Sequence, residues 1–211
     1  QFDANGQAQD WFKNGLKVGG FLETGEKTLT KEQLREIYHS YLERDFNPAE
    51  IKPLASIEAL YDQGLYDCHG FYEEDQLMAY ALLCHYPQGQ IPLLDYLAVM
   101  PEQRSKGLGG IFLQALAQQY QDQPGLMLEV ENPAFFLDAT DQKLKQRRVD
   151  FYVRQGVIKT TVRCRLFGIE MLLMYLPLKK SANDTQIRQE LLNIYRHSSA
   201  SHVESGKIIV Y

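Results

Sequence analysis

Cysteine is scarce and unpaired in this sequence: Cys68, Cys84 and Cys164 stand far apart, with no CxxC and no histidine at metal-ligand spacing. A disulfide scaffold and a structural zinc site are therefore not expected, and the thiols should be buried and reduced. Long apolar runs are also missing. None approaches the roughly 18 residues of a membrane span, and the first residues lack the basic-then-apolar layout of a signal peptide. These absences point to a cytoplasmic protein without a membrane partner. Nor is there an excess of basic charge: Lys and Arg number 22 against 27 Asp and Glu, for a formal net charge of −5. Nucleic acid is then not the expected partner, because phosphate backbones require a net basic face. Finally, the chain contains neither a GxxxxGK[ST] loop nor a GxGxxG fingerprint, which argues against the common mononucleotide and dinucleotide sites.

What is present suits one domain. The 211 residues, 45% hydrophobic and 23% charged, can bury a sizeable core. Residues 1–25 carry Gly6, Gly15, Gly19, Gly20 and Gly25 without sustained periodicity, and are expected to be an appended leader or a loosely docked arm. Trp11 and Phe12 would be its anchors to a surface groove. From Thr30 a capping box with Gln33 opens a helix over about 31–44, broken at Asn47-Pro48. A second helix follows over about 54–63, ending near Gly64. Runs at Tyr66–Tyr72, Leu77–Tyr86 and Ile91–Val99, separated by the acidic turn 73–75 and by Pro87-Gln88-Gly89-Gln90, read as an antiparallel meander.

After Gly107 the period changes to that of a helix reaching about Gln121, with Leu108, Ile111, Phe112, Ala115, Leu116 and Tyr120 on one face. A buried strand over Leu126–Glu131 follows. A helical insertion over 134–146 and a short helix over Arg147–Gln155, closed by Gly156, come next. Val157–Leu166 and Ile169–Leu178 form a hairpin at Phe167-Gly168. Ile187, Leu191, Ile194 and Tyr195 mark a C-terminal helix, and Lys207–Tyr211 an edge strand. The order predicts a mixed α/β (α+β) fold around a largely antiparallel sheet. We divide the chain into the arm 1–25, a domain 26–180, and the segment 181–211 packed on that domain.

The chemically informative stretch runs from the apolar strand through Met100-Pro101-Glu102-Gln103 into Arg104-Ser105-Lys106-Gly107-Leu108-Gly109-Gly110 and then a helix. Unpaired N–H groups at a helix start converge on one point where the dipole favours negative charge, and glycines allow close backbone approach. Arg104 and Lys106 add positive charge at the rim. A glycine-rich helix start that serves packing alone is the competing reading of this stretch.

Arg104-x-x-Gly107-x-Gly109 after Leu97-Ala98-Val99 resembles the coenzyme A pyrophosphate loop of the GNAT (Gcn5-related N-acetyltransferase) superfamily. Downstream, Arg148-x-x-Phe151-Tyr152-x-x-x-Gly156 resembles that family's R-x-x-F-Y-x-x-x-G-F segment, with Val157 departing from the usual Phe. The element order from Thr28 to Leu178 is similar as well. The resemblance implies the GNAT-like acyl-CoA N-acyltransferase fold: a mostly antiparallel central sheet, flanked by helices, with two strands splayed apart and acetyl-CoA in the gap as co-substrate. It further implies that the strand Leu97, Ala98 and Val99 pairs with the pantetheine arm through main-chain groups. The amides of Arg104, Ser105, Lys106, Gly107, Leu108, Gly109 and Gly110 would hold the pyrophosphate, Asn132 would reach a pantetheine amide, and an N–H near Val99 would face the developing oxyanion.

Under that resemblance Tyr152 matches the thiolate-protonating tyrosine; a packing tyrosine beside Phe151 is the structural alternative. The base is open between Glu129, which alternates with Glu131 on one strand face, and Asp95, a charge inside an otherwise apolar strand. Their structural alternatives are an ion pair of Glu129 with Arg163 or Arg165, and a capping or buried-partner role for Asp95. The histidines His69, His85, His197 and His202 lie at expected element ends and read as solvated. The expected activity is acetyl transfer to a small-molecule or peptide amine by direct attack in a ternary complex. A non-catalytic CoA-binding regulatory module is the alternative, and an ATP-binding protein a weaker one. Residues 181–211 exceed the minimal fold and are expected to cover the acceptor side or to form a homodimer contact.

Overall fold

The structure, a computed structural model, describes residues 25–46, 48, 50–73, 75–179 and 181–211. Residues 1–24 of the expected arm 1–25, with Trp11 and Phe12, the helix breaker Asn47, and Glu74 of the acidic turn lie outside the described residues, while Gly25 begins a strand of the sheet.

Local sequence accounts for most elements. Thr30 caps the first helix: its side chain accepts from the Gln33 N–H, and the Gln33 side chain accepts from the Thr30 N–H in return. The helix Lys31–Ile37 continues through a π-helical stretch, Tyr38–Leu42, and a last turn, Glu43–Asp45; the whole run 31–45 is α1. Helix α2 is Leu54–Asp62 and ends before Gly64, whose φ is 67°. Helix α3 is Leu108–Gln119. Helix α4 is one element, Ala139–Arg154, which corrects the expectation of an insertion followed by a short helix. Asp138 accepts from the N–H groups of Thr140 and Asp141, and neither glycine nor proline interrupts the run before Gly156. Gly156 (φ 86°) closes it in a Schellman motif, with bonds from Gly156 N–H to Val153 and from Val157 N–H to Tyr152. Helix α5 is Asp184–Ser198, and the short α6, Ala200–Glu204, was not expected from sequence.

The strands are β1 Gly25–Thr28, β2 Tyr66–Glu73, β3 Gln76–Cys84, β4 Leu93–Val99, β5 Gly125–Glu131, β6 Ile158–Leu166, β7 Ile169–Pro177 and β8 Ile208–Val210. They form one sheet in the order β1-β2-β3-β4-β5-β7-β6-β8, antiparallel except where β4 meets β5. Strand β1 is an addition to the sequence reading. The hairpin between β6 and β7 turns on Phe167 (φ 50°) and Gly168 (φ 89°), the pair of left-handed residues a type I′ turn requires. Helices α1, α2 and α5 cover one face of the sheet, burying Leu34, Ile57, Leu191 and Ile194 against Tyr66, Leu82, Leu93 and Tyr175. Helices α3 and α4 cover the other face, where Phe112, Leu113, Leu116 and Val149 meet Leu83, Leu94, Leu128 and Met174.

One junction in the sheet positions the site. Along β3 and β4 the register runs from Ala79↔Val99 to Leu82↔Tyr96 and then jumps to Leu83↔Leu94, so Asp95 is an extra, bulged residue. Strand β5 pairs with β4 only at Leu93↔Met127 and Leu94↔Leu128. The two strands therefore part at the bulge, with Asp95 and Glu129 the first residues past the last pair on either side.

Candidate active site

Beyond the bulge, β4 keeps β3 on one side and opens on the other. Met100 N–H donates to the Met78 carbonyl at 2.9 Å, so alternation in an antiparallel ladder turns the N–H and C=O of Ala98 toward β3 and those of Leu97 and Val99 toward the gap. The Val99 carbonyl accepts from Arg104 Nε at 3.0 Å, while Arg104 Nη2 reaches Asp45 at 3.2 Å. Asp45 also accepts from Arg44 and from the Tyr80 hydroxyl. The first residue of the glycine-rich turn is thereby tied to the end of α1. Lys106 Nζ donates to Gln103 at 2.9 Å.

The turn takes left-handed backbone at Ser105 (φ 64°) and again at Gly107 (φ 80°), which caps α3. No side chain caps this helix start and no acidic residue lies in its first turn. The N–H groups of Leu108 and Gly109 consequently have no hydrogen-bond partner among the described residues. Gly109 brings α3 close to both neighbours: a Cβ there would lie 3.3 Å from Phe151 Cζ and 3.5 Å from Val99 Cγ2. A Cβ on Gly107 would meet nothing within 4 Å.

Tyr152 lies on α4 and packs against the same buried cluster as Leu97 and Val99. Its ring meets Phe151 edge-on, with centroids 5.1 Å apart. Burial pushes its phenol pKa up, with the positive charge of Arg148 opposing, and its hydroxyl makes no hydrogen bond among the described residues. Asn132 follows β5; its Oδ1 caps the turn Pro133–Phe135 by accepting from Ala134 N–H at 3.1 Å, which leaves its amino group as the available donor.

The two carboxylates at the parting point face the α1, α2 and α5 side and differ in their partners. Asp95 Oδ2 accepts from Lys52 Nζ at 2.5 Å and from the Tyr66 hydroxyl at 2.5 Å, so it has the buried partners that formed its structural alternative. Glu129 has no ion pair among the described residues. Arg163 donates to the carbonyls of Thr160 and Val162, and Arg165 pairs with Glu170, which excludes the ion pairs considered from sequence. Glu129 Oε1 instead accepts from Cys164 Sγ at 3.0 Å and Oε2 from the Tyr195 hydroxyl. Burial raises the Glu129 pKa, against the pull of these two donors. Glu131 pairs with Lys145 and sits 3.8 Å from Arg148.

Sequence reasoning did not assign Lys52, Tyr66, Cys164 or Tyr195 to the site; no local motif marks them. It also misplaced His69, which is buried within β2 and bonds Glu26 and Tyr120. The three cysteines are free and buried. No group of His, Cys, Asp and Glu among the described residues is arranged to hold a metal ion, and no helix among them is long and apolar enough to cross a membrane.

A β4 edge whose Leu97 and Val99 N–H groups face the gap, running into a helix start whose Leu108 and Gly109 N–H groups have no partner among the described residues, fits a ligand that joins an amide-bearing arm to a diphosphate. The family model described as the acetyltransferase (GNAT) family matches residues 31–136, half of the chain. The chain belongs to the GNAT acetyltransferase family. Membership makes it an acyltransferase with acetyl-CoA as co-substrate. No curated protein matches the sequence, but solved structures of GNAT proteins share the fold. A protein from Bacteroides thetaiotaomicron described as a GNAT-family acetyltransferase aligns with a TM-score of 0.62 at 18% identity, covering 83% of this chain and 97% of its own. The ribosomal-protein-S18-alanine N-acetyltransferase of Escherichia coli aligns with a TM-score of 0.55 at 17% identity, covering 78% and 98%. Spermidine N-acetyltransferase of Vibrio cholerae, solved with CoA and spermine, aligns with a TM-score of 0.54 at 14% identity, covering 75% and 96%. In this GNAT chain the segment carrying Arg148 and Tyr152 lies beyond the span of the family match.

Proposed function

We propose that this GNAT enzyme transfers the acetyl group directly to an amine, in a ternary complex at the parting of β4 and β5. The observation that carries the reading is the open β4 edge, which begins at the Asp95 bulge and leads straight to the start of α3, which no side chain caps. In this reading the main-chain groups of Leu97 and the N–H of Val99 bind the pantetheine arm, and the Asn132 amino group adds a donor. The turn from Arg104 to Gly110 holds the diphosphate through Leu108 and Gly109 N–H, with Lys106 at its rim. The thioester supplies the activated acetyl group.

The chain's own residues then perform three tasks. The Val99 N–H, whose carbonyl is already engaged by Arg104, donates to the carbonyl oxygen as it becomes negative. Glu129 takes a proton from the incoming amine, directly or through water; burial makes it a stronger base than an exposed carboxylate. Asp95, already paired with Lys52, holds the bulge and adds negative charge beside a cationic acceptor. Tyr152 gives a proton to the departing sulfur; its hydroxyl, without a hydrogen bond among the described residues, and its packing against the same buried cluster as Val99 support that role. The acceptor is a small-molecule or peptide amine; fold relatives named for spermidine and for the alanine of ribosomal protein S18 bracket that range. A reducing cytoplasmic setting suits the three free thiols.

The test is thiol release from acetyl-CoA across amines, amino acids, polyamines and aminoglycosides, followed by Tyr152→Phe with the best acceptor. Turnover should fall by about 10²-fold or more, while the KM for acetyl-CoA stays within about threefold. An unaltered kcat, with chemistry shown to be rate-limiting, would reject Tyr152 as the acid.

A further inference from the structure

Glu129 stands at the parting point without an ion-paired cation among the described residues. The nearby ammonium, Lys52 on the approach to α2, is bound to Asp95 of β4, and the same Asp95 oxygen takes the Tyr66 hydroxyl of β2. Cys84 of β3 also lies near Asp95, and its thiol pKa is raised by burial to about 12, so it adds no charge at neutral pH. What faces the Glu129 carboxylate itself is one donor on each oxygen: the Cys164 thiol from β6 and the Tyr195 hydroxyl from α5. Thiols donate weakly, whereas a phenol bonded to a carboxylate is a strong, charge-assisted donor. Tyr195 is itself fixed, buried in a row with Ile187, Leu191 and Ile194 that docks α5 on the sheet. Its phenol pKa lies well above the ordinary value, through burial first and the Glu129 charge second, so it remains a donor throughout the working range.

We propose that Tyr195 is a positioning residue of the transfer reaction: its hydroxyl keeps Glu129 ionised and aimed into the gap, which makes the C-terminal helix α5 part of the catalytic unit. The inference rests on reading Glu129 as the base. Helix α5 lies outside the span of the family match, so no shared motif would have pointed to it.

The test compares the pH dependence of kcat/KM for one amine in the wild type, Tyr195→Phe and Glu129→Gln. The amine's own ionisation is common to all three and cancels in the comparison. Losing a donor to the charged form should move the acid-side limb of Tyr195→Phe upward by about one pH unit. Because Glu129 can still ionise, the rate should recover to within about threefold of wild type above that limb. Placing 3-fluorotyrosine at position 195 strengthens the donor without changing the packing, and should move the limb downward; this measurement stands even if the Phe variant folds poorly. Glu129→Gln should lose the limb altogether. If Glu129→Gln keeps both rate and limb, the base assignment fails and the inference with it. If it loses the limb, yet neither change at Tyr195 moves the limb, Glu129 stands as the base and the role of Tyr195 is overturned.

Discussion

Replacing Lys52 by Met removes the cation that holds Asp95 at the bulge and leaves a carboxylate with Tyr66 as its remaining donor. The pair is enclosed, with side-chain exposures of 16% for Lys52 and 9% for Asp95. Burial would lower the Lys52 pKa, but the Asp95 charge at 2.5 Å outweighs it and the pKa is raised, so the ammonium persists at every working pH. Breaking one half of a buried pair costs about 3–5 kcal/mol, and the partial exposure of Lys52 places this case near 3. For a domain of this size that corresponds to a fall in Tm of about 6–12 °C. Asp95→Asn should cost a similar amount, because it strands the ammonium. The double variant removes both charges and should lose at least about 2 kcal/mol less than the two single losses combined. Calorimetric melting of the four proteins at pH 7 closes the cycle. Single losses below about 1 kcal/mol, or losses that simply add, would refute the claim that this ion pair anchors the bulge where β4 and β5 separate.

Three other outcomes follow from the same geometry. Gly107→Ala meets no steric obstacle but must adopt φ 80°, so it should cost about 1–2 kcal/mol in thermal melting; an unchanged Tm would mean the turn is not held in that conformation. Gly109→Glu sets a carboxylate at the α3 start against Phe151 and Val99 and should abolish acetyl-CoA binding in calorimetry without unfolding the domain; undiminished affinity would remove this turn from the site. Burial acts upward on Asp67 as the largest influence, yet hydrogen bonds from His85 and Tyr120 outweigh it and set its pKa below the ordinary carboxylate value. The stability it contributes is thus complete above about pH 4 and drains away as the pH falls through the lower folded value. Asp67→Asn should show a shallower decline of Tm below about pH 4 than the wild type, and parallel declines would contradict the assignment.

The legible parts of the fold were those written in neighbouring residues. The Thr30 capping box, the glycine that ends α4, the turn at Phe167-Gly168 and the apolar face of α5 each depend on contacts within a few positions and appear in the structure; the expected face of α3 is corrected at two places, since Ile111 is exposed and Leu113 is buried beside Phe112 and Leu116. Strand β1 was missed because its four residues lie at an edge and show no alternation between faces. Helix α4 was divided in two because its polar first half hides the apolar period, although Asp138 caps it cleanly. At the site, the glycine-rich turn was readable for the same local reason. The partners of the two carboxylates were not: Lys52 and Tyr66 lie 43 and 29 positions from Asp95, and Cys164 and Tyr195 lie 35 and 66 positions from Glu129. The sheet brings them together, and no spacing in the chain announces it. Asp95 is the instructive case. A lone charge in an apolar strand invited a catalytic reading, and the fold supplies a buried cation and marks the residue as the bulge that opens the gap.

Acetyl transfer by these residues requires acetyl-CoA to lie along the open edge of β4 with its diphosphate at the start of α3. Hydrogen exchange resolved to single amides, with and without acetyl-CoA, tests this directly. Slowed exchange should concentrate at Leu97, Val99, Leu108 and Gly109, while Ala98, already bonded to β3, changes little. If those four amides exchange at the same rate in both conditions while protection develops elsewhere on the sheet, the cofactor does not occupy the gap and the proposed mechanism fails.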